Sequence, residues 1–204
     1  MSTLFKNDKN TLASYVYDPV GNSWVKKADL PFKVTGSNAC AASLYGKIYV
    51  FRGLMPLEAN CCRVYVYDPK QNSWADAGAL PPDFNSYSKA LSFNGLIYVM
   101  SYNGYFKTFN PLSDPSSAWT VKSSCSTTGY TNFMLFNMNN KVVYISPGKT
   151  CTYNDAANTW SSVNSSMNIN NTSSQIYNCI YTLYGSASIP YFFRYDYTSN
   201  TSAN

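Results

Sequence analysis

The sequence predicts an all-β fold built from repeated antiparallel sheets, and three observations lead to this prediction. Aromatic residues make up 17% of the 204 residues, and they lie in runs that alternate with β-branched or polar residues, as in half-buried strands. Charged residues make up only 12%, against about 25% in an average soluble domain. Tryptophan recurs at similar intervals, at positions 24, 74, 119 and 160. These features indicate short repeated strands with a polar, weakly charged surface.

Each tryptophan ends a recurring phrase. The phrases are YVYDPVGNSW at 15–24, YVYDPKQNSW at 65–74, a looser copy at 106–119, and CTYNDAANTW at 151–160. The alternating part predicts a strand, and Asp-Pro or Asn predicts a turn in which the Asx side chain bonds the local backbone. The tryptophan then begins the next strand and supplies a large apolar plate between neighbouring sheets. The phrase assigns structural roles to six residues: Asp18, Asp68, Trp24, Trp74, Trp119 and Trp160.

A second unit lies between these phrases. Residues 40–51, 89–100 and 134–145 each read as an apolar strand, a tight Asn or Gly turn and a second apolar strand, which is a hairpin signature. Each repeat therefore holds four short strands. A repeat of this kind is typical of one blade of a β-propeller.

These residues resemble the kelch family. The resemblance rests on the second strand of the Gly46-Lys47-Ile48-Tyr49-Val50 type, on the Tyr-Asp-Pro turn and on the tryptophan that follows, and it covers nearly the whole chain. Kelch repeats usually end the second strand with paired glycines. Here the same place reads Phe-Arg-Gly at 51–53, Ser-Tyr at 101–102 and Pro-Gly at 147–148, so the repeats are degenerate.

The repeats predict a single propeller domain over residues 1–204 with four four-stranded blades. Three blades are expected near 38–77, 86–123 and 131–163. The fourth is expected to be composite: residues 174–204 would supply its first two strands and residues 1–30 the other two, so that the N-terminal strands close the ring and protect the strand edges. The alternative is a segment of a larger propeller, or a five-bladed variant.

The cysteines and the glycosylation signals bear on the compartment. Cys40 and Cys179 are predicted at the same position of two first strands, next to the propeller axis, where a disulfide would join adjacent blades; two buried thiols are the alternative. Asn-x-Ser/Thr signals occur at Asn164, Asn170, Asn171 and Asn200. Few charges, six cysteines and clustered signals favour an extracellular protein, with the cytoplasm as the alternative.

The residue inventory argues against catalysis. The chain has no histidine, which excludes catalytic triads and histidine-based metal sites. The carboxylates outside the turns form no recognisable catalytic pair: Asp29, Glu58, Asp76, Asp83 and Asp114. The sequence therefore predicts a protein that is not an enzyme and needs no cofactor or metal. The basic residues are scattered, unlike those of a nucleic-acid binder, and no apolar run is long enough to span a membrane.

The expected function is that of a non-catalytic structural or interaction propeller that self-associates into larger assemblies. A weakly charged surface repels copies of itself poorly, and tyrosine is favoured at interfaces. The alternative is a module that recognises a glycan or another protein through one face. An intracellular adaptor is a third reading, although such a protein would usually carry a further domain. Arg52 and Arg194, predicted at matching ends of second strands, are candidate contact residues, with solvated charges as the alternative.

Overall fold

The computed structural model describes residues 3–5, 12–32, 39–52, 62–84, 87–126, 131–164, 173–176, 179–186, 189–196 and 201–203. Over these ranges the chain forms nineteen strands in five antiparallel sheets, and its one helical segment is a single 3₁₀ turn at Pro82–Phe84. The predicted all-β class is confirmed. The chain divides into two compact units, residues 1–88 with 114–116 and residues 89–113 with 117–204.

The first unit holds two sheets. The N-terminal sheet has three strands in the order β1 (Thr3–Phe5), β2 (Ser14–Asp18) and β3 (Ser23–Lys26). The next sheet has four strands in chain order: β4 (Ala39–Leu44), β5 (Lys47–Arg52), β6 (Arg63–Asp68) and β7 (Ser73–Ala79).

The remaining chain forms three four-stranded sheets, again with each strand paired to its neighbours in sequence. The first comprises β8 (Ser88–Phe93), β9 (Leu96–Ser101), β10 (Phe106–Phe109) and β11 (Trp119–Lys122). The second comprises β12 (Met134–Met138), β13 (Lys141–Ser146), β14 (Lys149–Asn154) and β15 (Thr159–Asn164). The third comprises β16 (Ser173–Ile176), β17 (Cys179–Ser186), β18 (Ile189–Asp196) and β19 (Thr201–Ala203).

The turns between first and second strands have the backbone that the sequence predicts. Both residues of each two-residue turn take positive φ, at 45–46, 94–95 and 139–140. Two consecutive positive φ values match the right-handed twist of a hairpin, and Asn and Gly adopt them at low cost. Tyr45, with φ 52°, is the exception to that residue preference.

The cores of the two units are aromatic. In the first unit Phe32 stacks on Tyr65 with ring centroids 4.5 Å apart, and Leu30 and Val50 are buried beside them. In the second unit the second strands β9 and β13 are the most buried elements, and Tyr98 lies in a cluster that includes rings from several strands. Five consecutive residues are buried in each of these two strands, so both faces of the strand lie in the core and take up aromatic side chains.

The ends of the chain differ from the prediction. Four four-stranded sheets are present, as predicted, but residues 173–203 supply all four strands of one of them. The N-terminal residues form a separate three-stranded sheet. The predicted division of one blade into two C-terminal and two N-terminal strands is therefore not seen, and closure by the N-terminal strands stays a prediction.

The C-terminal sheet also corrects the disulfide assignment. The five described cysteines, at 40, 62, 125, 151 and 179, form no disulfide. Cys40 lies on the first strand of its sheet, β4, but Cys179 lies on the second strand of its own, β17. The two positions are not equivalent, because the C-terminal sheet begins with β16, one strand before the strand that carries Cys179.

Candidate functional site

The repeated phrase folds into the turn between the third and fourth strands of a sheet. Asp18 Oδ1 accepts a hydrogen bond from the Val20 backbone N–H at 2.9 Å, and Asp68 Oδ1 accepts one from Lys70 at 2.9 Å. Partial burial acts to raise the pKa of Asp68, but the Lys47 ammonium and the backbone N–H groups of the turn lower it below its ordinary value. The carboxylate thus stays ionised and holds the turn.

Three of the four phrases have an asparagine two residues before the tryptophan, and it has a role that sequence reasoning missed. Asn22, Asn72 and Asn158 take φ values of 45°, 50° and 51°, in the left-handed region that asparagine tolerates. Each Oδ1 accepts a hydrogen bond from the tyrosine hydroxyl five residues earlier, at 2.8, 2.8 and 2.7 Å. That tyrosine is paired with the tryptophan across the turn. The side chains of Asn, Tyr and Trp therefore form one compact group at the end of the sheet.

In the first unit this group binds the backbone of the preceding sheet's exit segment. Asn72 Oδ1 accepts a hydrogen bond from the Ala28 N–H at 2.9 Å, and Trp74 Nε1 donates one to the Ala28 carbonyl at 3.2 Å. Ala28 lies two residues beyond β3. We call this arrangement, an Asn and a Trp that bind both backbone groups of one residue, a clasp.

The second unit contains the same clasp. Asn158 Oδ1 accepts a hydrogen bond from the Ser123 N–H at 2.8 Å, and Trp160 Nε1 donates one to the Ser123 carbonyl at 2.8 Å. An ion pair between Lys122 and Asp155 at 3.0 Å lies beside it. Neutral hydrogen bonds of this kind contribute about 1 kcal/mol each, so each clasp is a substantial link between consecutive sheets.

The N-terminal sheet carries the side chains of a clasp, but no residue in the described ranges has its backbone bound there. The rings of Tyr17 and Trp24 are tilted by 40° with centroids 5.0 Å apart, as are those of Tyr67 and Trp74. Trp24 is nevertheless 48% exposed, and no described residue accepts a hydrogen bond from its indole N–H. The side-chain carbonyl of Asn22 is bonded by Tyr17 alone among the described residues. This open clasp is the candidate functional site.

The third phrase departs from the pattern because it has no asparagine before Trp119. Its turn is closed by a hydrogen bond from the Asn110 N–H to the Ala118 carbonyl at 2.8 Å. Pro115 in that turn packs near Gly78, where an added Cβ would lie 3.1 Å from the proline side chain. The third phrase therefore contacts the preceding sheet through Pro115, whereas the second and fourth phrases bind it through hydrogen bonds.

The predicted contact arginines do not occupy matching places. Arg52 ends β5, the second strand of its sheet, and its side chain lies outside the described residues. Arg194 lies on β18, the third strand of its sheet. Its guanidinium lies 3.1 Å from Cys179 Sγ and 3.3 Å from Asp196 Oδ2. Hydrogen bonding to the Cys179 sulfur raises the pKa of Arg194 above its ordinary value. Their role in contacts stays a prediction.

The remaining predicted sites are only partly described. Asn164 is exposed at the end of β15, whereas Asn170, Asn171 and Asn200 lie outside the described residues. In the part of the chain that the structure describes, no cluster of three or more His, Cys, Asp or Glu could hold a metal ion. No helix within those ranges has the length and apolarity to cross a membrane.

Comparisons with known proteins support the fold. Residues 35–81 match the kelch motif, as the resemblance implied. A solved structure titled "Structure of YjhT", a kelch-type propeller, superposes with a TM-score of 0.59 at 19% identity over 74% of this chain. The chain spans 59% of the length of that protein. No curated protein matches the sequence. The likeness establishes a kelch-type β-propeller fold for this chain.

Proposed function

We propose that this chain is a non-catalytic interaction module that self-associates into larger assemblies outside the cell. A kelch propeller supports an interaction or structural role in general. The observation that carries the finer proposal is β15, the last strand of its sheet. Among the described strands it pairs with β14 alone. Five of its six residues are exposed, and none is charged.

An edge strand of this kind can pair with another chain, because its outer backbone N–H and C=O groups are available for hydrogen bonds. Proteins usually protect such edges with charges, Pro or a bulge. The sequence TWSSVN of β15 contains no charged residue and no proline. Its pairing with β14 is regular over all six residues, so it has no bulge. Val163 is 60% exposed on it. We therefore take β15 as the edge through which copies associate.

Light scattering on the purified, secreted chain tests this proposal, with and without reductant to separate disulfide-linked aggregates from specific assemblies. We expect concentration-dependent oligomers that persist in reductant. Val163→Lys should dissociate them, because a lysine on an edge strand opposes pairing. Val20→Lys is the matched control, since it places the same charge in the fully exposed turn before β3. A monomer at all concentrations would contradict self-association.

The extracellular part of the proposal has its own test. Asn164 is exposed, so a secreted chain can be glycosylated there. Enzymatic deglycosylation of the chain from a eukaryotic host should lower its mass, and Asn164→Gln should remove part of that shift. A secreted chain whose mass is unchanged by deglycosylation would remove the support that the glycosylation signals give.

Recognition of another protein is a second candidate, and the open clasp favours it. The clasp presents an acceptor, a donor and an exposed aromatic face in one place. Such a combination suits a peptide backbone, which carries one donor and one acceptor in each residue.

A further inference from the structure

The open clasp has the internal geometry of the filled ones. Asn22 and Asn158 have φ values of 45° and 51°, and the Tyr–Trp centroid distance is 5.0 Å in both copies. Only the bound residue is missing among the described residues. Because the three side chains are arranged before anything binds, little ordering entropy opposes a ligand.

The two filled clasps show which ligand fits. Each holds one small residue, Ala28 or Ser123. Each small residue follows a lysine and precedes, by two positions, an apolar residue that is 2% exposed, Leu30 or Cys125. The filling segments read KADL and KSSC. The clasp therefore selects an extended segment of the pattern lysine, small, polar, apolar, read mainly through the backbone of the small residue.

We propose that the open clasp of Asn22 and Trp24 binds an extended segment of a partner protein with this pattern. The N–H of the small residue donates to Asn22 Oδ1, and its carbonyl accepts from Trp24 Nε1. The bound residue is small in both filled clasps, Ala28 or Ser123, so a small residue is proposed at that position.

A second copy of this chain is a poorer occupant. In the folded protein both segments of the pattern are already held by Asn72 and Trp74 or by Asn158 and Trp160. Within the described residues a folded copy offers no further segment of the pattern. The proposed occupant is a segment of a different polypeptide, and this site is separate from the β15 edge.

The test uses a fluorescent peptide with the sequence VKKADLPF, that of residues 25–32, and fluorescence polarisation with the full chain. We expect saturable binding. The same peptide with an N-methyl group on its alanine lacks the N–H that Asn22 accepts, and should bind about tenfold more weakly. Trp24→Phe keeps an aromatic ring but removes the indole N–H, and should weaken binding about fivefold, as expected for one neutral hydrogen bond. Trp160→Phe, the same change in a filled clasp, should leave peptide binding unchanged.

Three results would overturn the proposal. One is the absence of saturable binding. Another is an N-methyl peptide that binds as tightly as the unmodified peptide, or a Trp24→Phe protein that binds the peptide as tightly as the unchanged protein. The third is an oligomer that Trp24→Phe converts to a monomer, which would make a second copy the occupant. Peptide binding by a chain that stays monomeric would instead support this site while contradicting the self-association proposed above.

Discussion

The filled clasp at Asn158 and Trp160 and the open clasp at Asn22 and Trp24 have the same internal geometry but different surroundings. The Tyr–Trp rings are tilted by 45° and 40°, and the tyrosine-to-asparagine hydrogen bonds are 2.7 and 2.8 Å long. Trp160 is half-buried and bonded, whereas Trp24 is exposed and unbonded within the described residues. The comparison teaches that a phrase with both Asn and Trp builds its own clasp, and that the neighbouring backbone fills a site already formed.

The largest difference between the two clasps should appear when the asparagine is removed. Asn158→Ala leaves the Ser123 N–H and the Tyr153 hydroxyl without their acceptor and places alanine in the left-handed region, so it should cost about 2–4 kcal/mol of unfolding free energy. Asn22→Ala also places alanine in the left-handed region but loses only one exposed hydrogen bond, so it should cost less, about 1–2 kcal/mol. Urea denaturation measures both free energies of unfolding. Equal losses in the two variants would show that the bound backbone residue does not add to the stability of the clasp.

The tryptophan pair should give a smaller difference. Trp160→Phe removes the hydrogen bond to Ser123 and part of the ring that packs on Phe106, so we expect a loss of about 1–2 kcal/mol. Trp24→Phe should stay within about 0.5 kcal/mol, as for an exposed site. Thermal unfolding monitored by circular dichroism compares them, and a large effect of Trp24→Phe on stability would mean that this clasp is filled in solution.

Alkaline pH should weaken the filled clasp. Burial, with the nearby Asp155 carboxylate, raises the pKa of Tyr153 to about 12. An unfolded tyrosine ionises near pH 10, so the stabilising contribution is intact below pH 10 and is lost as the pH rises toward 12. Tyr153→Phe should cost about 1 kcal/mol at pH 8 and should reduce the loss of stability between pH 10 and pH 12. An unchanged pH dependence in that variant would assign the effect to other tyrosines, such as the buried Tyr98, whose pKa burial also raises.

The ion pair should have the smallest effect. Lys122→Met removes the contact with Asp155 beside the filled clasp and should cost at most about 1 kcal/mol, less at high salt. Lys26→Met removes the more exposed pair with Asp29 and should cost less still. Unfolding at low and high salt separates the two, and a salt-independent cost at Lys122 would assign the effect to packing of its methylene chain.

Much of the fold was predictable because its signals are local. Alternation gave the strands, and Asp18 and Asp68 in their turns bond the backbone as Asx residues do. The C-terminal repeat was harder to place, because residues 179–185 resemble the first-strand segment 40–46 and no tryptophan marks its last turn. Residues 195–202 read YDYTSNTS, with serine at the tryptophan position. Counting the Tyr-Asp and the asparagine four residues after the aspartate would have found it.

The clasp itself was not predictable from one repeat alone. The asparagines read as turn residues, and their φ values bear that out. Their second role depends on a backbone group 44 residues away in one clasp and 35 in the other. No local rule connects Ala28 with Asn72, because the small residue carries no side-chain signal of its own. The repetition of Asn and Trp at a fixed spacing was the available signal.

The direction of the clasps has a consequence for synthesis of the chain. In both filled clasps the bound residue precedes its Asn and Trp in the sequence, by 44 and 46 residues in one and by 35 and 37 in the other. During translation the exit segment therefore leaves the ribosome first, and it is fastened only when the next sheet has emerged. In these two cases the later sheet would fasten the sheet made before it, so that each pair assembles in the order in which it is translated.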